Sequence, residues 1–349
     1  MSNKNEGFVC YRADRKTYCA RYPELNPVTN KTIMKSKSFK TKEEAQKYLD
    51  TIMYQKDNSL YIEHHGIPLC EFMKSNLKLK LDTNQITPTT YYRVLQVIKQ
   101  IQTFPIGIKN IDEITDEELQ EYLNYHKNLS NSTITKLYQQ LNSTFKIAIN
   151  KGYLMRNPMI NVLKPKSNKQ DKEVRALTVE EQQLLTDYLM SKDISNCKYK
   201  NVYLIQMYMG LRIGEVLALK TSDIDLQNKR ISVKKTLTRD EIGNIIMGNT
   251  TKTYAGRRTL PIPEYLYSSI IEQMKIAENQ ENNSEKLLFK PVDKPYCSRE
   301  NANHELKRLL KRHFGIEDIT SHSLRHTYGT RCIESRNGSG SCPKINGTY

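Results

Sequence analysis

The chain has 349 residues, with 54 Lys plus Arg against 38 Asp plus Glu and a formal net charge of +16, and at about 150 residues per domain it holds two or three domains. A hydrophobic fraction of 38% beside 26% charged residues suits soluble globular domains whose surplus charge faces a polyanion. Three readings are excluded: no apolar run approaches the ~18 residues that span a bilayer, the N-terminus carries no signal-peptide stretch, and seven cysteines without a Cys-x-x-Cys or Cys/His cluster argue against a disulfide framework or a zinc site. Nucleic acid is the expected partner, and the cytoplasm the expected compartment.

From residue 1 to about 60 the chain reads as a small β-sheet plus helix. Ten basic residues oppose three acidic ones between Met1 and Lys42, interleaved with Phe8, Tyr11, Tyr18, Tyr22 and Phe39 and broken at Asn26-Pro27. This predicts short strands with turns. Thr41-x-x-Glu44 is a capping box that predicts a helix with Ala45, Tyr48, Leu49, Ile52 and Met53 on one face. A basic twisted sheet fits a DNA groove, and Arg12, Arg15, Lys16, Arg21, Lys35, Lys37 and Lys40 are the candidate contacts. The plainer reading is a solvated basic face over core aromatics.

From about 64 to 165 the pattern is wholly helical. Ile67, Leu69, Phe72 and Met73 open it, and Tyr91, Leu95, Ile98 and Ile101 follow at helical spacing. A second capping box, Thr115-x-x-Glu118, precedes Leu119, Tyr122 and Leu123. The stripe Ile134, Leu137, Leu141, Phe145 and Ala148 ends at Gly152, and a polar, basic linker runs through Lys172.

The third region, 174–349, begins with the box Thr178-x-x-Glu181. A buried helix over Val202 to Met209 leads into Gly210-Leu211-Arg212-Ile213-Gly214-Glu215. Strands are expected over Arg230 to Thr236 and Arg257 to Ile262, and helical spacing resumes after Ser298. Arg212 sits between two glycines among apolar residues, where a guanidinium needs an anion or a carboxylate. Glu215 is the local alternative, either as its simple partner or as the group that steadies its fork for a phosphate. Lys252 lies in a polar loop, Thr250-Thr251-Lys252-Thr253, and alone is an ordinary solvated lysine. His322 and Arg325 stand three apart, so one helical turn aims both at one point. Such a pair without carboxylates suits a phosphodiester and not a metal.

Taken together, Gly-Leu-Arg-x-Gly-Glu-x-x-x-Leu, a loop lysine before Arg-Arg-Thr-Leu-Pro, and His-x-Leu-Arg-His-Thr, in this order, resemble the tyrosine recombinase (phage integrase) family. The first region resembles the arm-site-binding domain of integrases from conjugative transposons, and the second their helical core-binding domain. The resemblance implies a mainly α fold with small β elements (α+β) in three domains: 1–60 arm-binding, 64–165 core-binding and 174–349 catalytic. It implies DNA integration and excision of a mobile element through a 3′-phosphotyrosyl intermediate, with no metal or other cofactor. Arg212 and Arg325 match the arginines that clamp the non-bridging phosphate oxygens, Lys252 matches the general acid, and His322 matches the histidine that assists proton transfer. Glu215 would support, and His326 would pack behind the site. The implied partners are double-stranded DNA at arm-type and core-type sites, three further copies of the chain, and accessory excision and DNA-bending proteins, all at a bacterial nucleoid.

The family pattern continues with a Leu-x-x-Leu-Gly-His box and the nucleophilic tyrosine. Here the helix after Arg325 is expected to end at Glu334, and the sequence is aberrant from about Arg336, glycine-rich and without helical spacing. Tyr349 is the only tyrosine after Tyr328 and is a poor candidate nucleophile, so the nucleophile is left unassigned. A frameshift near Ser335 would account for the tail, and the alternative function is a truncated integrase that binds its sites without cleaving them.

Overall fold

The computed structural model describes residues 7–26, 31–57, 66–169, 174–191, 197–249 and 257–337. Two units pack separately, Met1–Ile86 with Arg93–Asp171 and Thr87–Tyr92 with Lys172–Tyr349.

In the first unit, β1 (Phe8–Arg12), β2 (Thr17–Asn26) and β3 (Lys31–Phe39) form an antiparallel sheet in that order. The helix α1 (Lys42–Asp57) follows the expected capping box: the Thr41 hydroxyl accepts the Glu44 N–H at 3.2 Å, and the Glu44 carboxylate accepts the Thr41 N–H at 3.3 Å. Ala45, Leu49 and Ile52 bury against Ala20 and Tyr22. Strand register then sorts the basic residues. Ala20, Tyr22 and Glu24 of β2 lie opposite Lys37, Lys35 and Ile33 of β3, on the face that α1 covers. Lys35 donates to the buried carboxylate of Glu24 at 2.9 Å, and the Lys37 ammonium lies 4.6 Å from the centre of the Tyr48 ring. Arg12 and Arg21 occupy the opposite face, Arg15 and Lys16 the β1–β2 turn, and Lys40 the end of β3. Side-chain alternation thus gives Lys35 and Lys37 partners on the helix side, with Lys37 still exposed.

The remaining helices of this unit are α2 (Leu69–Asp82), α3 (Pro88–Gln102), α4 (Pro105–Ile108), α5 (Asp116–Tyr125) and α6 (Asn131–Asn150), with the unit boundary falling within α3 after Tyr92. Ile98, Ile101, Leu119, Tyr122, Leu123 and the Ile134-to-Ala148 stripe are buried as their spacing requires. Gly152, at φ 76°, closes α6 while the next residue, Tyr153, returns its N–H to Ala148.

The second unit contains α7 (Val179–Met190), α8 (Lys200–Met209), α9 (Ile213–Val216), β4 (Ile224–Asp225), β5 (Arg230–Val233), β6 (Lys235–Arg239), β7 (Ile245–Asn249), β8 (Arg258–Pro261), α10 (Glu264–Glu278), α11 (Arg299–Phe314) and α12 (Ser321–Asn337). Buried along nearly its whole length, α8 runs through the core, and Tyr203 donates from it to the Ala302 carbonyl at 2.8 Å.

Two sequence expectations change here. The strand expected over Arg230–Thr236 breaks at Lys234: β5 joins a β4-β5-β8 sheet, while β6 pairs with β7 in a separate hairpin whose turn is held by the Asp240 carboxylate. The helix expected to end at Glu334 continues through Asn337. Five cysteines (Cys10, Cys19, Cys70, Cys197 and Cys297) are free thiols. No described helix is long and apolar enough to cross a membrane. Among the described residues, no cluster of three or more His, Cys, Asp or Glu side chains is arranged to hold a metal ion.

Candidate active site

The buried helix α8 ends at Gly210, which closes it in the left-handed conformation at φ 65° and bonds back to the Gln206 carbonyl. Only glycine fits: a Cβ at this position would run into the Tyr328 ring of α12. The chain then turns outward and presents Arg212 at the start of α9. Glu215, one turn on, is 1% exposed and accepts the Arg212 backbone N–H at 2.9 Å and its Nη1 at 3.1 Å.

A second arginine decides how that carboxylate is shared. Arg258, in β8, grips Glu215 with both arms of its fork, at 2.7 and 3.2 Å. Burial pushes the Glu215 carboxyl up, but hydrogen bonds and charge from Arg258, helped by Arg212, outweigh it and hold the group below the usual carboxylate range. Arg212 touches the same carboxylate with one nitrogen of its guanidinium, and its side chain is 60% exposed. The two alternatives for Glu215 resolve together: it is a partner of Arg212, and its charge is also matched by Arg258. Sequence reading passed over Arg258. The available signal was its place in a strand whose Leu260 faces inward, which turns the arginines at 258 and 257 to opposite sides.

The other half of the site rises from α12. Arg325 donates to the Gly210 carbonyl, so it reaches the segment that carries Arg212. His322 is pushed below its ordinary value of 6.5, first by partial burial and then by the positive charge of His326, Arg325 and Arg212. The shift favours the uncharged imidazole, the form able to accept a proton. The Arg325 bond to Gly210 thus brings the His322–Arg325 turn to the segment of Arg212, more than a hundred residues earlier in sequence.

His326 does not pack behind the site. It is exposed, with its ring edge-on to His322 at 5.2 Å between centroids, because positions four apart share a helix face. The buried group of that turn is Thr327, which accepts the Leu177 N–H at 2.9 Å and donates to the Ser323 carbonyl. Lys252 and Tyr349, and with them the glycine-rich tail beyond Asn337, lie outside the described residues.

Comparison with known proteins gives this arrangement its family. Residues 175–338 match the phage integrase family and residues 68–164 match the phage integrase SAM-like domain. The chain belongs to the phage integrase family of tyrosine recombinases. It is 26% identical over 329 residues to a tyrosine recombinase XerC-like protein of Caldanaerobacter subterraneus subsp. tengcongensis, covering 87% of this chain and 82% of that one. It is likewise 26% identical over 277 residues to the transposase of transposon Tn916 from Enterococcus faecalis, covering 75% and 66% respectively. In fold it is similar to the Tn1549 transposon integrase solved with transposon right-end DNA, at TM-score 0.62 and 20% identity, over 77% of this chain and 87% of the other. The family match spans Arg212, Glu215, Arg258, His322 and Arg325.

Proposed function

We propose that the chain is the site-specific integrase of a mobile element of the conjugative-transposon type, cutting and rejoining double-stranded DNA through a covalent 3′-phosphotyrosyl link. The observation that supports the reading is the bond from Arg325 to the Gly210 carbonyl, which joins the His322–Arg325 turn to the segment carrying Arg212, with Glu215 held by Arg258. Two guanidiniums with no unmatched carboxylate beside them suit the non-bridging oxygens of a phosphodiester and the extra charge of its pentavalent transition state. Neutral His322 takes part in moving the nucleophile's proton, and Lys252 protonates the leaving 5′-oxygen. No nucleophile is assigned within the described residues. Tyr328 fits against Gly210 with its hydroxyl pushed up by burial, which is a packing role.

The division of labour follows the sequence: 1–60 binds arm-type sites, 64–165 binds core-type sites and 174–349 carries the chemistry. In the first of these, Arg12, Arg15, Lys16, Arg21 and Lys40 meet the DNA. Exchange of two duplexes requires cutting two strands on each, and one active site per chain then calls for four copies on paired sites. Accessory excision and DNA-bending proteins set direction. The test uses nicked duplexes tiling the DNA around the gene and the full chain: a denaturant-resistant protein–DNA adduct is expected, lost in Arg212→Ala and Arg325→Ala. Specific binding with no adduct would instead support a protein that binds its sites without cleaving.

A further inference from the structure

A buried amide holds the two halves of the site in register. Gln206, in the core helix α8, is 1% exposed. Its Nε2 donates to the Ser321 carbonyl at 3.2 Å and, at the long limit of 3.5 Å, to the Leu211 carbonyl. Leu211 immediately precedes Arg212, and Ser321 immediately precedes His322. The two hydrogens of a single amide thus tie together the backbone segments that present Arg212 and the His322–Arg325 turn.

The other end of the side chain shows what the glutamine is for. Its Oε1 is buried and has no hydrogen-bond partner among the described residues. An unmet buried acceptor destabilises the fold, a penalty that a methionine of similar length would not carry in so apolar a core. A side chain chosen for packing alone would not place that oxygen there. We infer that Gln206 is a positioning residue for strand cleavage: it touches no substrate, and it fixes the distance between Arg212 and the His322–Arg325 turn by bridging the carbonyls of Leu211 and Ser321. Misplacement of catalytic groups by about 1 Å can cost up to about a hundredfold in rate, so small loosening here has a large reading.

The inference rests on the cleavage reading proposed above, and its test separates the two. Gln206→Met keeps the volume while removing both the bridge and the unpartnered oxygen. The full-length variant is expected to melt no lower than the wild type, to bind duplex DNA within about twofold, and to form adduct on a nicked duplex slower by on the order of tenfold. His322, titrated by NMR, should move back toward its ordinary 6.5 as Arg212 and Arg325 lose their fixed places around it. Adduct formation at the wild-type rate, or a rate loss matched by a fall in melting temperature with His322 unmoved, overturns the role. If the wild type itself forms no adduct, the cleavage reading fails, and the bridge is judged on the His322 titration alone. If Gln206→Met does not fold, hydrogen exchange of the Gln206 side-chain amide in the wild type decides: slow exchange supports the bridge, and exchange at the rate of a free amide overturns it.

Discussion

At the scale of single residues, the site is built on charge sharing. Glu215 sits between two arginines, yet Arg258 holds it with the better geometry. Replacing Arg258 with Leu should therefore cost about 1.5–3 kcal/mol, as expected for hydrogen bonds to a buried charge, and should draw Arg212 onto Glu215 and away from phosphate. Arg258→Lys should recover part of the stability without the two-armed grip. Arg212→Ala should cost less than Arg258→Leu in urea unfolding while removing cleavage, and equal stability losses would contradict this partition. His322 makes a second prediction. Because its folded value lies below 6.5, the unfolded chain binds more protons across that interval, so stability rises with pH there and is lost as pH falls. Unfolding free energies between about pH 5.5 and 7 should show a positive slope that is shallower in His322→Gln.

At the scale of elements, the structure separates what local pattern can report from what only register can. Helix starts were legible because capping is chemistry within four residues: the boxes at Thr41, Thr115 and Thr178 all form both of their bonds. Thr178→Ala should accordingly destabilise by about 1 kcal/mol in equilibrium unfolding. Charge runs carry no face, and only pairing with β2 sets Lys35 and Lys37 on the α1 side, apart from Arg12 and Arg21. Arg12→Ala and Arg21→Ala should thus weaken binding to arm-site DNA. Each should also flatten its salt dependence, by about 0.9 in log–log slope for every phosphate left without its cation. Lys35→Ala should act instead on stability, by unpairing buried Glu24. The hairpin of β6 and β7 was missed because the break at Lys234 has no glycine or proline to mark it. Gly210 was read as part of a motif, whereas its physical task is to let Tyr328 lie against the end of α8. Gly210→Ala should be more damaging than its single methyl suggests.

At the scale of the whole molecule, the surplus of +16 acquires places. Part of it lies on one face and one turn of the N-terminal sheet, and part in Arg212 and Arg325, the pair proposed to hold the phosphate. The family order of motifs made the candidate catalytic residues readable from sequence, since Arg212, His322 and Arg325 each stand in a short, specific pattern. Arg258 stands in the Arg-Arg-Thr-Leu-Pro pattern and Gln206 in none, but both act through other groups, so their roles became visible only when β8 and α8 were seen to meet the loop of Arg212 and the turn of His322. The central claim is that these groups form a phosphate-cleaving centre, and the direct measurement is adduct formation by the full chain on a nicked duplex from the element's own ends. A covalent protein–DNA species should survive denaturant and disappear in Arg212→Ala and Arg325→Ala, while specific DNA binding remains. Tight, specific binding with no covalent species at any tested end would contradict the claim.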